Sequence, residues 1–362
     1  MEPASKERSG AQRATGSVLL TGATGFLGAH VLWDLLHHSD ASVTCLVRGA
    51  SDSAAEQALL GQLAWYFPEL DLARLQERVH VARGDLDAPN LGLAAASYER
   101  LAENTRVVLN VAANVHHVTA ASRSFRTNAE GVSALIAFAR RGMPKELHHA
   151  STVSVQGAFE GVPRLRAFKE SHLEEGQVFP GPYPESKFRA EVLVRRAFAE
   201  GVSGAVYRVG HVGPHALTGR YQRNIQQSNT ARYVRACIRL GFAPYWREDS
   251  VRLTPVDGVA RALVLLMTRA DNRAGQTYYI DSPQRLSPYD IVRILHAAGY
   301  SVRLMAAQEF AEKASVLSQD MESLSVLVPS PLDAHAHAIA TDSSWSQREL
   351  AKVGFTYPKL TS

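Results

Sequence analysis

An α/β fold, with a doubly wound parallel sheet and a smaller, mainly helical C-terminal lobe, is what this sequence predicts, and three observations carry the prediction. First, the apolar run Val18-Leu19-Leu20 passes through a glycine-rich turn, Thr21-Gly22-Ala23-Thr24-Gly25-Phe26-Leu27-Gly28, into a helical stretch. There Leu27, Val31 and Leu35 recur at i, i+4 and i+8, one apolar helix face. Second, residues 107–113 form a continuous apolar strand of the kind buried on both faces of a parallel sheet. Third, 362 residues, 46% hydrophobic and 20% charged, suffice for two structural units or one large unit with an appended lobe.

That composition also excludes a disordered, collagen-like or coiled-coil chain. The net charge of +4 is too mild for a nucleic-acid footprint, so no nucleic-acid partner is expected. No apolar run approaches the ~20 residues of a membrane span, and residues 1–16 lack the apolar stretch of a secretory signal. Cys45 and Cys237 are too few for a disulfide framework and read as buried, inert thiols in a reducing cytosol. Residues 1–15 read as a disordered leader or the remnant of an upstream linker.

In the glycine turn each glycine has its own task. Gly22 permits the tight turn, Gly25 lets backbone N–H groups approach a diphosphate, and Gly28 lets the helix lie close on the strand. Gly22, Thr24, Gly25, Phe26, Leu27 and Gly28 are therefore the candidate residues of a Rossmann-type dinucleotide site. The second strand, residues 43–47, ends in Arg48 and Gly49, with no carboxylate between Ala41 and Ser51 to read a free ribose 2′-hydroxyl. An arginine there pairs with a 2′-phosphate, so NADPH is the expected cofactor; the competing reading of Arg48 is a solvated surface arginine. At the end of the fourth strand, Ala112 and Ala113 are small enough for a cofactor ribose to lie against the backbone.

The chemistry sits further along. Tyr183-Pro184-Glu185-Ser186-Lys187, at the head of a helix, puts a phenol and an ammonium one turn apart on one face. Lys187 can hold ribose hydroxyls while its charge brings the Tyr183 phenol nearer to working pH, and Tyr183 donates to the reacting oxygen. Thr152 ends the adjacent strand, where ligands bind in open parallel sheets, and offers a second donor to that oxygen; Ser151 should point to the opposite face. Alone, a Tyr-x-x-x-Lys pair is commonly a helical surface pair; behind the glycine turn, Thr152, Tyr183 and Lys187 make a candidate catalytic triad. The paired histidines cannot both face one metal from a strand, so no metal site is expected, while His116 and His117 stay candidates for a substrate pocket.

The Gly-x-x-Gly-x-x-Gly spacing resembles the extended short-chain dehydrogenase/reductases. Within them the whole ordered chain resembles the terminal thioester reductase domains of nonribosomal peptide and polyketide synthetases, which are related to carboxylic acid reductases. The likeness rests on the glycine turn, Cys45-Leu46-Val47-Arg48, Gly84-Asp85-Leu86, Ser151-Thr152-Val153-Ser154-Val155 and Tyr183 to Lys187. Tyr207-Arg208-Val209-Gly210, Thr218-Gly219 and Pro255-Val256-Asp257 are its branch-specific part.

The resemblance implies that Asp85 and Leu86 meet the adenine and that Asn128 supports the lysine through water, though on chemistry alone a cap is nearly as good a reading of Asp85, and Asn128 alone could be a helix cap. It further implies a cytoplasmic enzyme, monomeric as an excised domain. The expected reaction is release of a thioester from a phosphopantetheinylated carrier protein, with NADPH, as an aldehyde and then a primary alcohol. Release as aldehyde only, a fatty acyl-CoA reductase, a sugar epimerase, a steroid-type dehydrogenase and an NADP-sensing scaffold are the competing readings. Residues 16–212 are expected to form the cofactor domain, with 251–283 returning to it, and 213–250 with 284–362 the substrate and carrier lobe. On that lobe Asn229–Leu240 reads as a helix capped near Asn229 or Thr230, with Arg232, Arg235 and Arg239 in one basic stripe and Arg220 and Arg223 just upstream.

Overall fold

The computed structural model describes residues 16–70, 77–113, 125–160, 165–179, 181–245, 252–269, 275–316, 336–337 and 340–359. The strands that matter here are β1 (Ser17–Thr21), β2 (Ser42–Val47), β3 (Val79–Arg83), β4 (Val107–Asn110), β5 (Glu146–Thr152), β6 (Phe159–Glu160), β7 (Ala167–Phe168), β8 (Ser203–Val209), β9 (His211–Gly213), β10 (Phe242–Tyr245), β11 (Leu253–Pro255), β12 (Gln276–Ile280) and β13 (Arg303–Ala306). Two short pieces follow, β14 (Ala336–His337) and β15 (Ala340–Thr341). The helices are α1 (Phe26–His38), α2 (Asp52–Tyr66), α3 (Ala95–Asn104), α4 (Gly131–Arg140), α5 (Pro182–Ala199), α6 (Asn229–Leu240), α7 (Val256–Met267), α8 (Pro288–Ala297), α9 (Ala307–Val316) and α10 (Ser344–Lys352).

Seven strands pair in the order β12-β8-β5-β4-β1-β2-β3, and every pair in this sheet is parallel. Chain order reverses between β1 and β4, so the cleft for a ligand opens beyond their C-terminal ends. Because helices cover both faces, the central strands are apolar on both sides. Val18, Leu20, Val43 and Cys45 pack with α1, α2 and α7 on one face, while Leu19, Val108, Leu147 and Val206 pack with α4 and α5 on the other. Each such fully buried side chain contributes about 1.5–3 kcal/mol through its burial, which is what holds the strand ends in a fixed relation.

A second apolar core stands apart from the sheet. Ala236, Cys237 and Ala243 meet Leu295, Val302, Met305 and Phe310, gathering α6, α8, α9 and the parallel pair β10 and β13. The end of the chain joins the other body, which corrects the expectation that all of 284–362 lies in the lobe. Trp345 of α10 stacks on Tyr278 at 5.0 Å, and Leu350 enters the sheet core. Ser346 Oγ accepts from the Tyr279 N–H at 2.8 Å. The aromatic and leucine side chains of this segment find their apolar partners on β12 and α7, and β15 pairs with β7.

Smaller departures have local causes. The fourth strand ends at Asn110, and the Val111 N–H to Thr21 O bond is the last rung of its ladder with β1. A π-turn, Arg126–Glu130, precedes α4, so Asn128 lies inside it and is not a helix cap. The cap of α6 is Ser228, one residue before the expected position, its hydroxyl accepting from Ala231 N–H. Residues 1–15 and His116 and His117 lie outside the described residues. Among the described residues no helix is long and apolar enough to cross a membrane, and no three metal-ligating side chains cluster.

Candidate active site

The glycine turn is built as a cradle. Gly22 sits at φ +79°, and a Cβ on it would lie 2.6 Å from the Ala112 nitrogen. A Cβ on Gly28 would lie 2.0 Å from Gly22 O, so any larger residue would push α1 off β1. Gly25 is the N-cap of α1, no side chain caps this helix end, and no acid stands in its first turn. An anion therefore meets backbone N–H groups and the positive end of the helix. Thr24, Phe26 and Leu27 complete the turn; Ala112, two residues past the end of β4, lies against Gly22, and Ala113 follows it in the chain. This geometry fits a dinucleotide diphosphate.

Arg48 is exposed just past β2. The β2–β3 register pairs Arg83 with Val47, the residue before Arg48, and Arg83 Nε donates to Asp52 Oδ1 at 2.7 Å. Arg83 was not singled out from sequence; its signal is its place directly before Gly84-Asp85. Asp85 is half-buried and spends one carboxylate oxygen on the Asp87 N–H at 3.1 Å, an Asx turn. Leu86 packs against Gly131 at the head of α4.

Around the expected chemistry the structure brings together β5 and α5. Thr152, at the end of β5, hydrogen-bonds the Tyr183 phenol, and its hydroxyl oxygen accepts from Ser154 N–H at 3.2 Å. Burial pushes the phenol pKa above its ordinary value, and the Thr152 hydrogen bond pulls it the other way. Lys187, one turn along α5, is fully buried and donates to Ala150 O at 2.6 Å. Burial brings its pKa down from 10.5 to about 8, against the raising effect of the Glu191 carboxylate. Asn128 reaches this helix through Ser186. Its Nδ2 donates to Ser186 Oγ at 3.0 Å, and that hydroxyl donates to Tyr183 O at 2.8 Å.

Two polar rows cross the otherwise apolar face beneath α5, and neither was read from sequence. In the first, register aligns Thr21, Asn110 and His149. In the second it aligns Ser151, Arg208 and Tyr279. Ser151 Oγ donates to Glu191 Oε2 at 2.6 Å, and Arg208 Nη2 reaches Glu191 Oε1 at 2.7 Å, with both charged side chains wholly buried.

Beside the glycine turn, Phe26 packs on Tyr66 and Tyr221 at 5.6 and 5.3 Å, with His30 4.9 Å from Tyr66. Arg220 is turned inward here, donating to the carbonyls of Trp65 and Tyr66 at the C-terminal end of α2. Burial lowers the His30 pKa from 6.5 to about 4. The unfolded chain thus takes up a proton that the folded one refuses, so stability held above pH 6.5 is lost as pH falls toward 4, by about 3 kcal/mol from this group. Urea midpoints at pH 7 and 4.5 should show a smaller acid loss in His30→Gln than in the wild type; equal losses would refute the assignment.

Residues 20–263 match the family model described as male sterility protein. The isonitrile lipopeptide synthase of Streptomyces coeruleorubidus is 33% identical over 315 residues, 84% of this chain and 20% of that protein. The chain spans 6% to 30% of the length of the first curated relatives it matches. The crystal structure of the terminal R domain from the myxalamid PKS-NRPS biosynthetic pathway superposes with a TM-score of 0.84 at 29% identity, covering 97% of this chain and 88% of that one. A thiolation-reductase di-domain from an archaeal non-ribosomal peptide synthetase shares the fold, with a TM-score of 0.82 at 24% identity over 97% of this chain and 73% of that one. A match across more than half the sequence, on a parallel sheet whose first turn is shaped for a dinucleotide, places this chain in the male sterility protein family of NAD(P)-binding oxidoreductases.

Proposed function

We propose that this chain is an NADPH-dependent thioester reductase that releases an acyl or peptidyl chain from a phosphopantetheinylated carrier as an aldehyde and reduces the aldehyde to a primary alcohol. The observation that carries the reading is Tyr183 hydrogen-bonded to Thr152, one helical turn from the buried Lys187, at the strand ends facing the glycine turn. The sheet-and-lobe likeness to synthetase reductase domains supports the substrate class.

The nicotinamide, when bound, supplies hydride to the carbonyl carbon. Thr152 and Tyr183 direct their hydroxyls at the carbonyl oxygen and stabilise the charge that develops there. Tyr183 gives its proton to the tetrahedral oxygen and takes it back as the hemithioacetal collapses, the carbon–sulfur bond breaking with its electron pair on sulfur so that the carrier leaves as thiolate and is protonated by solvent. In the second reduction the same pair binds the aldehyde oxygen, and Tyr183 delivers a full proton to the alkoxide. Lys187 orients the ribose and keeps a positive charge near the phenol. On the lobe, Arg235 and Arg239 stand exposed on α6, a basic face suited to an acidic carrier, whereas Arg232 Nε is engaged by Gln226 O.

Cofactor consumption with a carrier-tethered thioester and with free aldehyde, with products identified by mass, tests the reading. Alcohol is expected, with NADPH consumed in both reductions. Aldehyde alone, with no turnover of free aldehyde, would overturn the second step, and failure to reduce any thioester would overturn the function.

Arg48, exposed just past β2, carries the cofactor preference. Arg48→Ala should weaken NADPH roughly ten- to a hundredfold, the loss of one charge-assisted phosphate contact, and leave NADH nearly unchanged. Titration of both cofactors decides this; equal wild-type affinities would refute it.

A further inference from the structure

The row Thr21, Asn110 and His149 lies where a parallel sheet covered on both faces ordinarily carries apolar side chains. Two residues earlier on the same strands, the same face carries Leu19, Val108 and Leu147. Polar side chains at such depth cost free energy unless each finds a partner. Here each does. Thr21 Oγ1 donates to Asn110 Oδ1 at 2.6 Å and accepts from the Ala112 N–H at 3.3 Å. Asn110 Nδ2 donates to His149 Nδ1 at 3.0 Å, and His149 Nε2 stands 3.5 Å from Lys187 Nζ. All four side chains are buried. The row thus begins at the residue before Gly22 and ends on the lysine of the candidate triad.

We infer that His149 is a positioning residue for Lys187, its ring, held from behind by Asn110 and Thr21, bounding the lysine head on the side of the glycine turn. The inference rests on the triad reading above. The helix alone fixes the Lys187 backbone, but four rotatable bonds separate the amine from it. Ala150 O fixes the amine from one side and the His149 ring bounds it on another. The imidazole can do this because it stays neutral. Burial and the neighbouring lysine both hold its pKa well below 6.5, so no like charge opposes the amine. Since Asn110 donates to Nδ1, the ring proton resides on Nε2, so the ring meets the Lys187 amine as a neutral wall and not as a hydrogen-bond acceptor, with its orientation set from the β4 side. The other charge near the amine is Glu191, one turn further along α5.

The test is steady-state reduction of an aldehyde by NADPH, with NADPH affinity and thermal unfolding measured on the same 362-residue proteins. His149→Phe keeps a ring of similar size in the core and removes the polar edge, while His149→Gln restores a polar group in reach of both neighbours. The Phe variant should lose about tenfold in kcat with the aldehyde KM within about twofold, and the Gln variant should stay within about threefold of wild type. Asn110→Leu should reproduce the Phe effect, and combining the two should cost no more than the larger single loss, because the row acts as a unit.

On a Lys187→Ala background, His149→Phe should change the residual rate by less than about twofold. An undiminished kcat in His149→Phe, or the same further loss when Lys187 is absent, would overturn the inference; a fall in melting temperature alone, with kcat kept, would do so too. Wild-type turnover in Lys187→Ala by itself is a separate result and would overturn the triad reading instead.

Discussion

Tyr183→Phe should reduce turnover by about a hundred- to ten-thousandfold while NADPH still binds near wild-type strength. The buried ring is retained, so the structure around Thr152 has little reason to change. What disappears is the one proton the carbonyl oxygen can take in the second reduction. Lys187→Ala should harm both cofactor binding and rate, since in the proposed mechanism one amine serves the ribose and the phenol. Thr152→Val, with its methyl groups filling the space of the threonine, removes the second donor and should cost on the order of a hundredfold in turnover. The buried amine loses its proton through about pH 8, so above that pH the phenol no longer has a cationic neighbour. NADPH-dependent reduction followed by single-turnover kinetics separates these effects, and a Tyr183→Phe enzyme that reduces thioester at the wild-type rate would refute the mechanism.

The parts of the site that could be read in the sequence are those whose partners lie within a turn or two of chain. Gly22, Gly25 and Gly28 report a strand-turn-helix connection because the tight turn and the close approach of α1 to β1 are local demands, and the clashes that a Cβ at Gly22 or Gly28 would meet express them directly. Tyr183 and Lys187 share a face by helical geometry alone. Thr152 needed one further step, the placement of ligands beyond strand ends. The polar rows needed register. Nothing in Val107 to Asn110 or in Glu146 to Thr152 announces that Asn110 will meet His149, because that contact exists only once β4 and β5 pair with those two residues opposite. A buried histidine in an apolar strand is the available signal, and it cannot name its partner. The return of α10 to the sheet was hidden for a similar reason. Trp345 and Leu350 announce an apolar face, but the choice between the two cores is made by Tyr278 and α7, far away in the chain.

The largest stability effect is expected from Glu191→Ala. Glu191 and Arg208 are both wholly buried, with the guanidinium bonded to both carboxylate oxygens, and Arg208 also donates to the carbonyls of Lys169 and His172 and to the Tyr279 hydroxyl. Removing the carboxylate leaves a buried guanidinium with no counter-charge on its strand row and strips Ser151 of its acceptor. Breaking such a pair typically costs about 3–5 kcal/mol, because the remaining charge keeps its desolvation penalty and loses its compensation. Arg208→Met should cost a similar amount, but the double variant Glu191→Leu/Arg208→Met should lose less than the two singles together, since neither charge is then left alone. Urea unfolding of the four proteins measures this, and additive losses would show that the pair is not the unit. The same carboxylate raises the Lys187 pKa against the pull of burial. Glu191→Ala should therefore move the lysine titration below about 8 as well as weaken the fold. The pH dependence of turnover in Glu191→Ala, measured well below its melting temperature, then distinguishes a merely loosened helix, which would leave the pH at half-maximal rate unchanged, from an ion pair that reaches the triad through one turn of α5.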